Sequence, residues 1–263
     1  MLLAIDQGNT NTVFALIGED GVIRHKWRIA TDDRRTADEY LVWIRALFAL
    51  EDWRPEDVDD AIIATVVPQG RFALWQLCRR CFDCEPLMVG GSGIALPINV
   101  RVRNPDEVGA DRLVNAVAAH PLATGAKIVI DFGTATTFDV VAADGSYEGG
   151  VIAPGINLSL KALHEAAAKL PRIAVEPPQN GTVVGRSTLD AMQSGVFWGY
   201  VGLIEGLVAR IREERAEPMT VIATGGLAAI FQPHTRAIDI VDHDLTIKGL
   251  AGIYAHNRPH AGR

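Results

Sequence analysis

With 263 residues, 48% of them hydrophobic and 22% charged, the chain is long enough for one large domain or two small ones with a buried core. Its formal charge of −7 opposes a phosphate backbone and argues against nucleic acid as a partner, although local backbone N–H groups can still hold a small anion. No apolar run reaches the ~20 residues of a membrane span, and the opening Met-Leu-Leu-Ala-Ile run breaks at Asp6 without a basic leader, so it reads as a strand in a protein expected in the cytoplasm.

Residues 2–5 form an apolar strand, Asp6-Gln7-Gly8-Asn9-Thr10-Asn11-Thr12 a polar turn, and Val13 to Ile17 a second strand, with residues 22–29 continuing the meander. Thr36 and Glu39 have capping-box spacing ahead of a helix to about Leu50, whose Leu41, Ile44, Leu47 and Phe48 share a face. Ala61 to Val67 reads as a buried strand, 70–82 as a helix and Leu87 to Val89 as a short strand. Cys78, Cys81 and Cys84 lie on or beside that helix in C-x2-C-x2-C spacing. Without a fourth cysteine they are expected to be thiols on a helix surface or edge rather than metal ligands. Gly109-Ala110-Asp111-Arg112 opens a helix to Ala119, and Lys127 to Ile130 begins a new strand.

Asp131-Phe132-Gly133-Thr134-Ala135-Thr136-Thr137 then repeats the first turn, close to half a chain later. Aligned without gaps, Asp6 matches Asp131, Gly8 matches Gly133, Asn9 matches Thr134 and Thr12 matches Thr137. Apolar strand flanks both copies, which predicts two related units. Further on, Asn157 is expected to cap a helix to about Leu170, and a long helix to span Leu189 to Arg215. Thr220 to Ala223 is a strand leading into Thr224-Gly225-Gly226 and a helix. Val241 marks a last strand, and Thr246 to Ala255 a closing helix.

The turn chemistry points to an anion. A glycine such as Gly8, free to take a positive φ, lets backbone approach a ligand, and neighbouring N–H groups with the Asn9, Thr10 and Thr12 side chains can surround phosphate oxygens. Asp6 would meet phosphate only through Mg²⁺, which uses few carboxylates. An ordinary Asx-rich hairpin is the alternative, weakened by the second copy. At the helix start, Asp111 can be a general base and Arg112 a bidentate anion holder, or Asp111 can simply offset the helix dipole. The Gly225-Gly226 turn can admit a nucleotide or merely connect strand to helix. Thr188 or Ser187 can cap the long helix, and residue chemistry alone favours Thr188 as a cap. His120 and His164 show no ligand spacing.

These motifs resemble the phosphate loops of the actin, Hsp70 and sugar-kinase superfamily. More closely, the chain is similar over nearly its whole length to the type III pantothenate kinases. The likeness rests on DQGNTNTVFAL at 6–16, RTADEY at 35–40, NPDEVGADRLVNAVAA at 104–119, DFGTATTFDVV at 131–141, GGVIAPG at 149–155, VGRSTLDAMQSGVFWGY at 184–200 and ATGGLA at 223–228. The resemblance implies an α/β, ribonuclease H-like duplicated fold of two lobes with ATP in the cleft between them. An N-terminal lobe over 1–118 would carry the first phosphate loop and the Gly109–Arg112 segment. A C-terminal lobe over 119–263 would carry the second loop and an adenosine-side Gly-Gly turn. It implies that Asp6, Gln7, Gly8, Asn9, Thr10, Asn11, Thr12 and Val13 wrap the ATP phosphates, that Thr134 contacts ATP, and that Asp6 is oriented on Mg²⁺. Asp131 would hold a monovalent cation, K⁺ or ammonium. Gly109, Ala110, Asp111, Arg112 and Thr188 would hold pantothenate, with Asp111 as the base, in a homodimer that adds the first phosphate on the route to coenzyme A. This places Thr188 at the substrate rather than only at a helix cap. The family's tyrosine two residues before the Asn-Pro pair is Val102 here, which puts the shape of the substrate pocket in question. Two other readings stay open: a related kinase acting on another small hydroxylated substrate, and a non-catalytic nucleotide-binding regulator.

Overall fold

Strand β1 (Leu2–Gln7) is apolar on both faces, and it takes the centre of a five-stranded sheet. It pairs antiparallel with β2 (Asn11–Ile17), which pairs antiparallel with β3 (Ile23–Ala30). On its other side it runs parallel to β4 (Asp60–Thr65), and β4 runs parallel to the short β5 (Leu87–Met88). The period of two sorts the side chains. Leu3, Ile5, Phe14 and Leu16 pack with Tyr40, Ile44 and Phe48 of α1 (Ala37–Leu50) and Leu74 and Leu77 of α2 (Gly70–Cys81). Leu2, Ala4, Ala15 and Ile17 face the other way, onto Val114 of α3 (Ala110–Ala119) and Ile247, Leu250 and Ile253 of α7 (Leu245–Asn257). This computed structural model describes residues 1–91, 93–166, 171, 173–178 and 181–258.

The second sheet repeats the scheme. Its central strand β6 (Ala126–Phe132) pairs antiparallel with β7 (Ala135–Val141), and β7 with β8 (Tyr147–Pro154). On the other side β6 runs parallel to β9 (Met219–Gly225) and β9 to the short β10 (Ile240–Val241). Ile128, Ile130, Phe138 and Val221 pack on Phe197, Tyr200, Ile204 and Val208 of α5 (Thr188–Arg215). Counted outward from the central strand, strand order and direction are the same in both sheets, so the expected duplication is present.

The register corrects the gapless alignment of the two turns. Asp6 pairs with Val13 and Gln7 with Thr12, whereas Asp131 pairs with Thr137 and Phe132 with Thr136. The second hairpin is one residue shorter. The counterpart of the buried Thr12 is therefore the buried Thr136, and Thr137 corresponds to Val13.

The chain divides into two compact units. The first holds Met1–Asn99, Arg103–Ala118 and the stretch from Asp244, and the second holds Val100–Val102 and Ala119–His243. The closing helix α7 thus returns to the first sheet, although a boundary at 118 alone would assign it to the second unit. Its apolar face covers β1 and β4, and Asp60 of β4 accepts from Tyr254 Oη at 3.0 Å and from Arg258. Burial and the Asp60 carboxylate push the Tyr254 phenol up to about 12.

Local expectations fare unevenly. Thr36 and Glu39 form the reciprocal capping box of α1. Asn157 lies inside the first turn of α4 (Ile156–Ala166) instead of capping it, and the expected end near Leu170 falls outside the described residues. The three cysteines are buried in the first core rather than displayed on a helix surface. Hydrogen bonding with Cys84 and burial hold the Cys78 thiol well above its ordinary pKa, which keeps it protonated and inert. Among the described residues no group of three or more His, Cys, Asp or Glu side chains is placed to hold a metal ion.

Gly249 tests the docking of α7. Alanine in place of a helical glycine normally gains about 1 kcal/mol. Here a Cβ would sit 2.1 Å from the Val114 carbonyl oxygen, and such overpacking costs about 1–3 kcal/mol. The clash outweighs the propensity, so Gly249→Ala is expected to lower the urea midpoint. A midpoint at or above that of the parent contradicts this packing.

Candidate active site

The first turn is closed by Gly8 N donating to Asn11 O at 3.0 Å, which leaves Asn9, Thr10 and Asn11 exposed. Gly8 is not among the glycines with positive φ, and a Cβ there would meet only Asn11 O at an ordinary 3.5 Å. The freedom to take a positive φ is therefore not used at Gly8, and what its missing side chain leaves is space beside the turn.

The turn is anchored from beneath and from the side. Gln7 is buried, donates to Tyr40 Oη at 3.1 Å and accepts from Thr65 Oγ1 at 2.7 Å. Gly70 at the start of α2 makes room for it, because a Cβ there would lie 2.3 Å from Gln7 Oε1. Thr31, just past β3, donates its N–H to Thr10 O at 2.9 Å and its hydroxyl to Gly8 O at 2.7 Å. Beside the turn lies a recess of about 560 Å³ lined by Asn9, Thr31, Asp32, Arg35, Val66 and Gln69. The Arg35 guanidinium is held by Ala30 O at 3.1 Å and lies 5.4 Å over the Tyr40 ring.

The Gly109–Arg112 segment starts α3. Gly109 O accepts from Arg112 N at 3.1 Å and Leu113 N at 3.4 Å, and Asp111 Oδ1 accepts from Arg112 N at 2.8 Å. A Cβ on Gly109 would lie 2.6 Å from Asp111 Oδ1, so glycine there gives the carboxylate its place over the helix start. Ala110 is the first helical residue, and Asp111 and Arg112 are half-buried. The helix start fixes the Asp111 carboxylate, where it can offset the helix dipole.

One residue joins this segment to the turn. Val66, directly after β4, donates its N–H to Gln7 O at 3.1 Å, and its Cγ1 is 3.8 Å from the Cβ position of Gly109. The first unit therefore brings residues 6–13 and 109–112 together around the end of β4.

In the second unit, Asp131 pairs with Thr137 on one side and Thr224 on the other. Gly133 N donates to Ala135 O at 3.0 Å, leaving Thr134 exposed, and Gly155 N donates to Thr134 O at 3.2 Å. Two glycines crowd this turn. A Cβ on Gly155 would lie 2.2 Å from Thr134 O. Gly225, at φ +90, would place one 2.9 Å from Asp131 Oδ1. Ser187, not Thr188, caps α5, accepting from Asp190 N at 3.1 Å. Thr188 is the exposed first residue of that helix. Val102 lies beside β8, its Cγ1 3.7 Å from the Cβ position of Gly149. Sequence spacing gave no sign of Thr31 or Val66, because each reaches the turn only through the sheet.

The chain matches the family profile described as type III pantothenate kinase over residues 2–210. It is 58% identical to the type III pantothenate kinase of Caulobacter vibrioides, with 98% of each chain covered. It is 59% identical to that of Paramagnetospirillum magneticum, again with 98% of each covered. The inorganic polyphosphate/ATP-glucomannokinase structure from Arthrobacter is similar in fold, with a TM-score of 0.51 at 13% identity and 98% of both chains covered. The duplicated α/β fold is thus that of the sugar-kinase group.

Gly155→Ala is expected to push the Thr134 carbonyl outward and loosen the second turn. Amide exchange over 131–137 should quicken by about tenfold, the equivalent of about 1.4 kcal/mol of local stability. Unchanged exchange there contradicts the close approach.

Proposed function

The chain belongs to the type III pantothenate kinase family, and on that premise we propose that it transfers the terminal phosphoryl group of ATP to the primary hydroxyl of pantothenate. The product is 4′-phosphopantothenate, the first step towards coenzyme A. The observation that carries the placement of the chemistry is Val66, which touches both the Asp6 turn and the Gly109–Arg112 helix start.

Residues 6–13 hold the ATP phosphates, with the exposed Asn9 and Thr10 as donors. Thr134 contacts ATP from the second turn. Gly109, Ala110, Asp111 and Arg112 hold pantothenate, together with the exposed Thr188. Asp111 takes the proton of the acceptor hydroxyl. That oxygen bonds to the γ-phosphorus as the bond to the β–γ bridging oxygen breaks, and ADP leaves with the electron pair. Arg112 steadies the pantothenate carboxylate.

Two ions fit the residues present. Asp6 is a single half-buried carboxylate at a strand end, as suits Mg²⁺ held mainly by phosphate and water. Asp131 stands beside Thr137 and Thr224 in the sheet, and oxygen donors of this kind suit K⁺ or ammonium. When bound, these ions offset the charge of the phosphates.

The protein works as a cytoplasmic homodimer without nucleic acid. Exposed apolar side chains concentrate in the second unit at Ile152, Leu158, Leu163, Val183, Val184 and Leu189, which supports a self-associating face there. Among the described residues no helix is long and apolar enough to cross a membrane. Val102, in place of a tyrosine, is the reason to include other small hydroxylated acids in a substrate panel.

Pantothenate-dependent ADP release in the presence of Mg²⁺ and K⁺ is the test of the activity, and release no faster than with ATP alone rejects it. Asp111→Asn is expected to keep ATP affinity and lower kcat by about 10²–10⁴-fold, the usual worth of a general base. Turnover within about threefold of the parent removes Asp111 from that role.

A further inference from the structure

Several of the bonds that shape the nucleotide turn come from outside residues 6–13, and Thr31 supplies three of them. Its amide donates to Thr10 O at 2.9 Å and its hydroxyl to Gly8 O at 2.7 Å, while Thr12 Oγ1 lies 3.0 Å from Thr31 Oγ1. The one proton of the Thr31 hydroxyl is committed to Gly8 O, so Thr12 is the donor in the third bond. Thr12 is fully buried, and its hydroxyl needs that acceptor. One side chain thus ties the start of the turn, at Gly8, to its end, at Thr12. The adjoining backbone ties the middle at Thr10.

The second unit has the same device from a different residue. The register makes Thr136 the counterpart of Thr12, and its hydroxyl is bonded to Tyr200 Oη of α5. Tyr200 also donates to Pro154 O at 3.4 Å. In both copies a hydroxyl from outside the hairpin holds the buried threonine that follows the turn.

We propose that Thr31 is a positioning residue for ATP: acting through Gly8 and Thr12, it holds the turn in the shape that receives the phosphates. This rests on the reading that residues 6–13 bind those phosphates. Removing the hydroxyl leaves the buried Thr12 hydroxyl without its acceptor and Gly8 O without its donor. The turn then relaxes, and ATP has to restore its shape on binding.

Steady-state kinetics on the full chain, with ATP and pantothenate varied in turn, is the test. Thr31→Val keeps the shape and removes the hydroxyl. It is expected to raise KM for ATP by about tenfold, with KM for pantothenate within about twofold and kcat within about threefold of the parent. Thr31→Ser, which keeps the hydroxyl, should restore KM for ATP. Thr31→Ala serves as the second hydroxyl-free variant if the valine form does not fold. A KM for ATP unchanged in the hydroxyl-free variant while Asp6→Asn raises it overturns the role of Thr31 and leaves the phosphate turn standing. An unchanged KM for ATP in both variants overturns the phosphate reading and the proposal with it. A fall in thermal midpoint and kcat with both KM values unchanged, or a serine variant that fails to restore binding, makes Thr31 merely structural and also overturns the proposal.

Discussion

The parallel pairing of β1 with β4 governs the site in the first unit. It runs in register from Leu2 and Asp60 to Gln7 and Thr65, and continues one bond further as Val66 N to Gln7 O. Parallel strands end at the same edge, and in open α/β sheets ligands collect at that carboxyl edge. Here the edge receives three things at once: the turn after β1, the bend after β4, and the helix start at Gly109. A slip of one residue would invert the side chains of β1 and bury Asp6 where Ile5 now packs. The apolar faces of β1 therefore hold this edge in place, although none of those apolar side chains needs to touch a ligand.

Polar groups at this edge are costly unless paired, and the pairing does structural work. A buried amide such as Gln7 loses about 1–3 kcal/mol for each partner that is missing. Tyr40 and Thr65 satisfy it, and Gly70 leaves the space it fills. The floor of the turn becomes rigid as a result, while its exposed residues remain open. The second unit supports its turn by other means. Phe132 replaces Gln7 in the core, and Gly155 and Gly225 let neighbouring backbone close on the turn. One ancestral hairpin thus carries two kinds of support.

Much of this was legible in the sequence because it is local. Apolar runs bounded by turns gave the strands, Thr36 with Glu39 gave a helix start, and the two Asp-x-Gly turns gave the duplication. The failures share a cause: each depends on a partner distant in the chain. The adjacent Thr136 and Thr137 concealed the one-residue shortening of the second hairpin, which only cross-strand pairing reveals. Residue chemistry suggests a cap at Thr188, but the neighbouring Ser187 caps at least as well, and the helix start selects it. The cysteines looked like surface thiols until α2 packed on α1. Helix α7 has apolar residues suited to either sheet, and Gly249 against Val114 decides for the first. Thr31 and Val66 are unremarkable in sequence and gain meaning only from the sheet edge.

In the proposed function, nucleotide and acceptor meet at one strand edge of the first unit. Amide hydrogen exchange with a non-hydrolysable ATP analogue and with pantothenate reads this directly. The analogue should slow exchange across 6–13, and pantothenate added to that complex should slow it across 109–112. Protection absent from both segments, with both ligands bound, would contradict that meeting place.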